Sequence, residues 1–202
     1  MPHKIHLAKD KKLKPLVESI PMVPVKPRKN MYIELTTCIM SQQLNVKVAR
    51  IINDRFLALY QKKSPTPEQV LATPVETLRS IGLSQQKANY IHNIARFALE
   101  KGIDYKRLNK MSNEEVIAYL TEIKGVGKWT VEMLLMFSLG REDVFSVGDW
   151  GVLSAMIQLY KLDPSDKKKL AEKAHKISAK WAPYRTYACM YLWRYKDNAP
   201  KS

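Results

Sequence analysis

Gly125-Val126-Gly127 lies between two stretches whose apolar residues recur at helical spacing, and this restricts the fold more than any other short segment of the chain. One stretch begins near Glu114 and runs through Leu120 into the glycines; the other runs from Lys128 to Leu139. Two glycines around a small apolar residue permit a turn too tight for most side chains and a close approach of backbone to a partner. The second helix starts inside that turn, so its first N–H groups have no partner within the helix and its dipole presents a positive end. Such an end binds anions. An ordinary helix–turn–helix corner would have the same outline, but Lys128-Trp129-Thr130 directly after the turn favours the anion site.

Charge identifies the anion class. Among 202 residues, 34 are Lys or Arg and 19 are Asp or Glu, a formal net charge of +15. An excess of this size points to a polyanionic partner, nucleic acid first. Hydrophobic residues make up 46% of the chain, enough for a packed core and against disorder. Cys38 and Cys189 are far apart and outside any C-x-x-C pattern, so neither a metal cluster nor a disulfide framework is expected. Cys38 sits in an apolar run and reads as core. Met1 to Lys14 is charged and lacks the apolar stretch of a signal peptide, and no run of 18 apolar residues occurs. An intracellular, monomeric protein without membrane contact is expected.

The rest of the chain reads as all-α, with nine or ten helices. Thr66-Pro67-Glu68-Gln69 and Ser112-Asn113-Glu114-Glu115 are capping boxes, and Asp163-Pro164 is expected to open a later helix. Ala88, Ile91, Ala95 and Ala98 mark one apolar face, with Gly102 as its stop signal; Ala49, Ile52, Phe56 and Leu59 mark another. No period-2 alternation and no internal repeat is found. Three segments are predicted: a basic, proline-containing arm over 1–30, with helix near Pro15–Ile20, packing on the terminal lobe; a helical lobe over 31–140 with the hairpin at about 114–139; and a C-terminal helical lobe over 141–202.

Ile123-Lys124-Gly125-Val126-Gly127-Lys128-Trp129-Thr130 resembles the hairpin of the helix-hairpin-helix (HhH-GPD) DNA glycosylase superfamily, with Lys124 where proline is common. Four further segments, in order, resemble the same superfamily. Ser41-Gln42-Gln43-Leu44-Asn45 resembles the part that fills the gap left by a flipped base. Gly82-Leu83-Ser84 with Lys87-Ala88 resembles a recurrent loop of the alkylation-repair branch. Trp181-Ala182-Pro183-Tyr184-Arg185 and Tyr191-Leu192-Trp193-Arg194 resemble that branch's C-terminal helices. The match covers about residues 31–195, and the branch is similar to 3-methyladenine DNA glycosylase II. It implies a two-lobed helical fold without the N-terminal β domain of some members.

The resemblance also implies roles. Gly125, Val126, Gly127, Lys128 and Thr130 would grip a DNA phosphate, and a sodium or potassium ion could sit on the backbone carbonyls of Thr121, Ile123 and Val126. In Val144-Phe145-Ser146-Val147-Gly148-Asp149-Trp150-Gly151, Asp149 occupies the superfamily's catalytic aspartate position, at a helix start facing the cleft between lobes. Breaking an N-glycosidic bond builds positive charge on the sugar, which a carboxylate stabilises while helping a water attack. Asp149 could instead be only an N-cap. Glu132 is a rival on the helix after the hairpin; Glu142 and Asp143 are expected on a solvated loop.

Trp129 corresponds to a pocket aromatic of the alkylation branch, with Trp150 and then Tyr32 as further walls, since cationic alkylpurines gain from stacking on electron-rich rings. Trp181 and Trp193 are expected as core anchors. Gln43 or Leu44 would be the wedge; Asn45 is either part of it or a helix cap. Lyase members carry a lysine where this chain has Trp129, so no Schiff base is expected, and the four-cysteine motif of the iron–sulfur relatives is missing, so no cofactor is expected for catalysis. The implied function is monofunctional hydrolytic excision of alkylated purines, 3-methyladenine and 7-methylguanine among them, from duplex DNA in base excision repair. The alternatives are a non-catalytic helix-hairpin-helix DNA-binding module and a glycosylase for other damaged or mismatched bases.

Overall fold

Residues 1–198 are described by the computed structural model, and among them the regular structure is thirteen α-helices and one 3-10 turn, with no strand. The count exceeds the nine or ten helices expected because five helices have only six residues, too few to display a full apolar period. The chain forms two compact units, residues 26–139 and residues 1–25 with 140–202.

The first unit is one series of eight helices: α3 (Met31–Ser41), α4 (Val46–Ala58), α5 (Pro67–Ala72), α6 (Val75–Ser80), α7 (Gln85–Glu100), α8 (Tyr105–Lys110), α9 (Asn113–Thr121) and α10 (Lys128–Phe137). The longest, α7, is central. It buries Ala88, Ile91, Ile94, Ala95 and Phe97, and α3, α5 and α6 pack on it. Burying a large aliphatic side chain contributes about 1.5–3 kcal/mol, so this stripe alone outweighs any cap. The caps set the boundaries. Thr66 and Ser112 each form the complete reciprocal box that their sequence spacing indicated. Gly102, at φ +83, returns its N–H to Phe97 and Ala98 and ends α7.

The second unit joins both ends of the chain. The segment read as mostly an arm over 1–30 carries α1 (Pro2–Leu7), which was not expected, and α2 (Lys14–Ser19), where helix was expected near Pro15–Ile20; Leu7, Val17 and the α2 cap residue Leu13 are buried. They pack in the same unit as α11 (Trp150–Tyr160), α12 (Lys167–Ser178), the 3-10 turn Ala179–Trp181 and α13 (Arg185–Asn198). Asp10 ties them together: one of its carboxylate oxygens accepts from the Tyr160 hydroxyl at 2.9 Å and the Trp181 indole N–H at 3.0 Å. Trp181 is the core anchor expected of it. Helix α12 begins at Lys167, not at Asp163-Pro164, because Asp166 accepts from the N–H groups of Lys168 and Lys169 while Asp163 turns its carboxylate to Ser165.

Residues 141–147 are non-helical, with Glu142 exposed and Asp143 half-buried as expected of a loop, but hydrogen bonds hold the stretch in place. Arg185 makes a two-point ion pair with Asp143, at 2.6 and 2.9 Å, and the Tyr187 hydroxyl donates to Glu142 at 2.8 Å. The Thr186 hydroxyl donates to the Arg141 carbonyl and accepts from the Val144 N–H. These anchors come from the start of α13, so that helix holds the stretch leading to Asp149.

Candidate active site and DNA-binding hairpin

In the first unit, the turn between α9 and α10 is closed by the Val126 N–H donating to the Ile123 carbonyl at 2.9 Å, and both of those side chains are buried. The two glycines have different tasks. Gly125 lies at φ +104, and a Cβ there would fall 2.6 Å from Cδ2 of Tyr90 and closer still to Cγ and Cδ1. The hairpin therefore rests on the Tyr90 ring, which α7 supplies, and the Asn93 amide holds the Lys124 carbonyl from the same helix. Gly127 lies at φ −94 with open space where a Cβ would be, and no side chain caps α10. Outward approach is thus left clear at the helix start.

Lys128 and Trp129 are exposed beside that start, Trp129 to 40%. Thr130 is buried, and its hydroxyl accepts from the Gln42 amide at 2.9 Å. Thr130 is therefore tied to the 41–45 segment by its side chain. Glu132 is buried on α10 with the Lys128 ammonium 3.9 Å away. In the 41–45 segment Gln43 is exposed at φ +57 and Leu44 is half-buried. Asn45 caps α4 by accepting from the Val48 N–H at 2.9 Å, the helix-cap role of the two weighed for it. Tyr32 is buried in α3, where burial raises its hydroxyl well above the ordinary phenol range.

In the second unit, Asp149 is the N-cap of α11 and is 9% exposed. Its Oδ1 accepts from the Val152 N–H at 2.8 Å and from the Trp193 indole N–H at 2.8 Å. Capping and chemistry are therefore compatible in one side chain: two donors on one oxygen fix how the carboxylate is turned. Trp193 is half-buried and serves Asp149, not a core as expected. Gly151 makes room for the pair, since a Cβ there would meet Trp193 Cδ1 at 2.8 Å and Asp149 Oδ1 at 2.9 Å. A glycine in the first turn of an apolar helix was the visible signal for this crowding; nothing local pointed to Trp193. Trp150 is 65% exposed at the start of α11. No group of three His, Cys, Asp or Glu residues able to hold a metal occurs among the described residues.

An unobstructed helix start on a glycine hairpin, with a fixed carboxylate capping a second helix, on a strongly basic all-helical chain, defines a DNA-processing class. The chain belongs to the HhH-GPD superfamily of base excision DNA repair proteins, whose family model matches residues 36–180. Within it, the chain is 38% identical over 169 residues to DNA-3-methyladenine glycosylase 1 of Schizosaccharomyces pombe, covering 83% of this chain and 73% of the relative. It is 32% identical to the putative DNA-3-methyladenine glycosylase YfjP of Bacillus subtilis, covering 78% of this chain but 56% of that protein. The solved structure of the S. pombe 3-methyladenine DNA glycosylase Mag1 in complex with abasic DNA superimposes with a TM-score of 0.86 at 33% identity, over 100% of both chains.

Proposed function

We propose that this protein is a monofunctional glycosylase that excises alkylated purines from duplex DNA, with Asp149 as its catalytic carboxylate. The names of the relatives support the substrate class, and the fixed carboxylate is the observation that carries the assignment: Asp149 is held by the Val152 N–H and the Trp193 indole. In the reaction, the bond between C1′ and the base nitrogen lengthens and positive charge builds on the sugar. Asp149 stabilises that charge and takes a proton as water oxygen bonds to C1′. A cationic alkylpurine leaves as a neutral base and needs no separate acid.

The hairpin grips a phosphate through the α10 start, with Gly125, Val126 and Gly127 shaping the backbone and Lys128 adding charge. The family's alkali ion fits the donor set here: the carbonyls of Thr121, Ile123 and Val126 are neutral hard oxygens, and the Ile123 carbonyl keeps a second lone pair beyond its bond from Val126. An ion held there would add positive charge beside the phosphate. Trp129, then Trp150 and Tyr32, are the aromatic residues assigned to stacking on the base; Gln43 or Leu44 is the wedge. The protein acts as a monomer, and no described helix is long and apolar enough to cross a membrane.

The test is single-turnover release of 7-methylguanine by Asp149→Asn. Asparagine keeps the cap and the indole bond but removes the charge, so the variant should fold, bind lesion DNA and lose most excision. Near-normal release would move the assignment to Glu132; DNA binding without release by the parent protein would favour a non-catalytic module. Borohydride quenching of parent reactions should trap no covalent protein–DNA adduct, since the lyase position is Trp129.

A further inference from the structure

A segment that enters the base stack must hold its shape against the stack's tendency to reclose. The 42–45 segment begins from an unfavourable conformation. Gln43 is left-handed at φ +57, a backbone region that disfavours any residue but glycine. The last carbonyls of α3 also have no partner in their own helix.

Lys87, in the first turn of α7, answers both needs. Its ammonium donates to the Met40 carbonyl at 2.9 Å and to the Gln42 carbonyl at 2.7 Å. The first acceptor is in the last turn of α3 and the second directly precedes Gln43. Lys87 is half-buried, and burial lowers its pKa below the usual lysine value. Among the described residues no carboxylate pairs with it. A half-buried cation whose hydrogen bonds within the chain go to two main-chain carbonyls is a positional device, because charge-assisted bonds are the strong ones and their acceptors here are fixed backbone. Two bonds complete the brace: the Ser41 hydroxyl donates to the Thr37 carbonyl at 2.8 Å, and the Gln42 amide donates to buried Thr130 at 2.9 Å.

We propose that Lys87 is a positioning residue for base extrusion, clamping the end of α3 so that Gln43 and Leu44 project as one rigid wedge. The proposal rests on the glycosylase reading. It predicts that loss of the clamp harms extrusion and spares the chemistry that follows.

The test compares Lys87→Met, which keeps length and removes the donors, with the parent on two duplexes carrying 7-methylguanine. One pairs the lesion with cytosine; the other places it opposite a tetrahydrofuran abasic analogue, so that extrusion is easier. Single-turnover release from the paired duplex should fall by about tenfold, while release opposite the analogue stays within about threefold of the parent. Binding to undamaged duplex should be unchanged. Lys87→Gln, with a neutral donor of shorter reach, should give an intermediate loss in the same pattern, and it carries the comparison if Lys87→Met does not fold. Equal losses on both duplexes, or none on either, would overturn the clamp. If the parent releases no base from either duplex, the glycosylase reading fails first.

Discussion

Alanine at Gly125 and alanine at Gly127 should produce opposite defects, although the two residues flank the same valine. At Gly125 the backbone is at φ +104, where a side chain costs about 1–2 kcal/mol. The added methyl also overlaps the base of the Tyr90 ring, which cannot swing aside as a flexible chain end would; overpacking of this kind costs about 1–3 kcal/mol. Together, about 2–5 kcal/mol should lower the melting temperature by roughly 5–20 °C in a chain of this size. At Gly127 the backbone is in an ordinary region and the methyl meets nothing, so stability should hold or rise by about 0.4–1 kcal/mol from the stiffer unfolded chain. That methyl stands where a phosphate would approach, and loss of one charge-assisted contact, about 1.5–3 kcal/mol, means at least a tenfold loss in affinity for undamaged duplex. Thermal melting and duplex titration at one fixed salt concentration measure both quantities on both variants. Gly127→Ala binding as tightly as the parent would refute the hairpin's grip on a phosphate, and Gly125→Ala melting with the parent would refute the support by Tyr90.

Gly151→Ala should push Trp193 off Asp149 and lower single-turnover release by about tenfold, near 1.4 kcal/mol for one lost hydrogen bond, with lesion binding retained. Trp129→Leu should lower release of cationic 3-methyladenine by about tenfold and release of a neutral lesion by less, because only the former gains from the ring's negative face; equal losses would make Trp129 a packing surface. The acid limb of stability should depend on Asp143. Burial alone would raise its carboxyl, but the hydrogen bonds and charge of Arg185 outweigh burial and hold it below the ordinary value. The pair therefore stabilises the fold above about pH 4 and loses that contribution as pH falls through the depressed value. Asp143→Asn should be less stable than the parent in urea at pH 7, with the difference shrinking toward pH 3; a constant difference would contradict the assignment.

What was legible in the sequence was what is settled locally. The capping boxes at Thr66 and Ser112 close within four residues, and the hairpin is announced by its own glycines. Asp149 could be read as cap or as carboxylate, and the structure shows the cap, while the catalytic role is the one proposed for it. The parts that were missed depend on distance along the chain. Trp193 reaches Asp149 across 44 residues and Arg185 reaches Asp143 across 42, and neither end carries a mark of the other. Tyr90 gives no sign in sequence that it supports Gly125. Helix α2 falls where helix was expected near Pro15–Ile20, whereas α1 escaped because six residues beside a proline show no period; it is helical through what it buries.

The division of the chain has a temporal consequence. Residues 26–139 are contiguous and can fold once they have left the ribosome, but the unit containing residues 1–25 lacks its other half until α13 is made. At about 5–20 residues per second, the stretch from 140 to 198 takes roughly 3–12 s to synthesise. For that interval Leu7, Leu13 and Val17 await the core that will cover them. Residues 1–25 are thus made before residues 26–139 yet become native after them, and the unit that carries Asp149 is complete only when α13 has met α1 and α2.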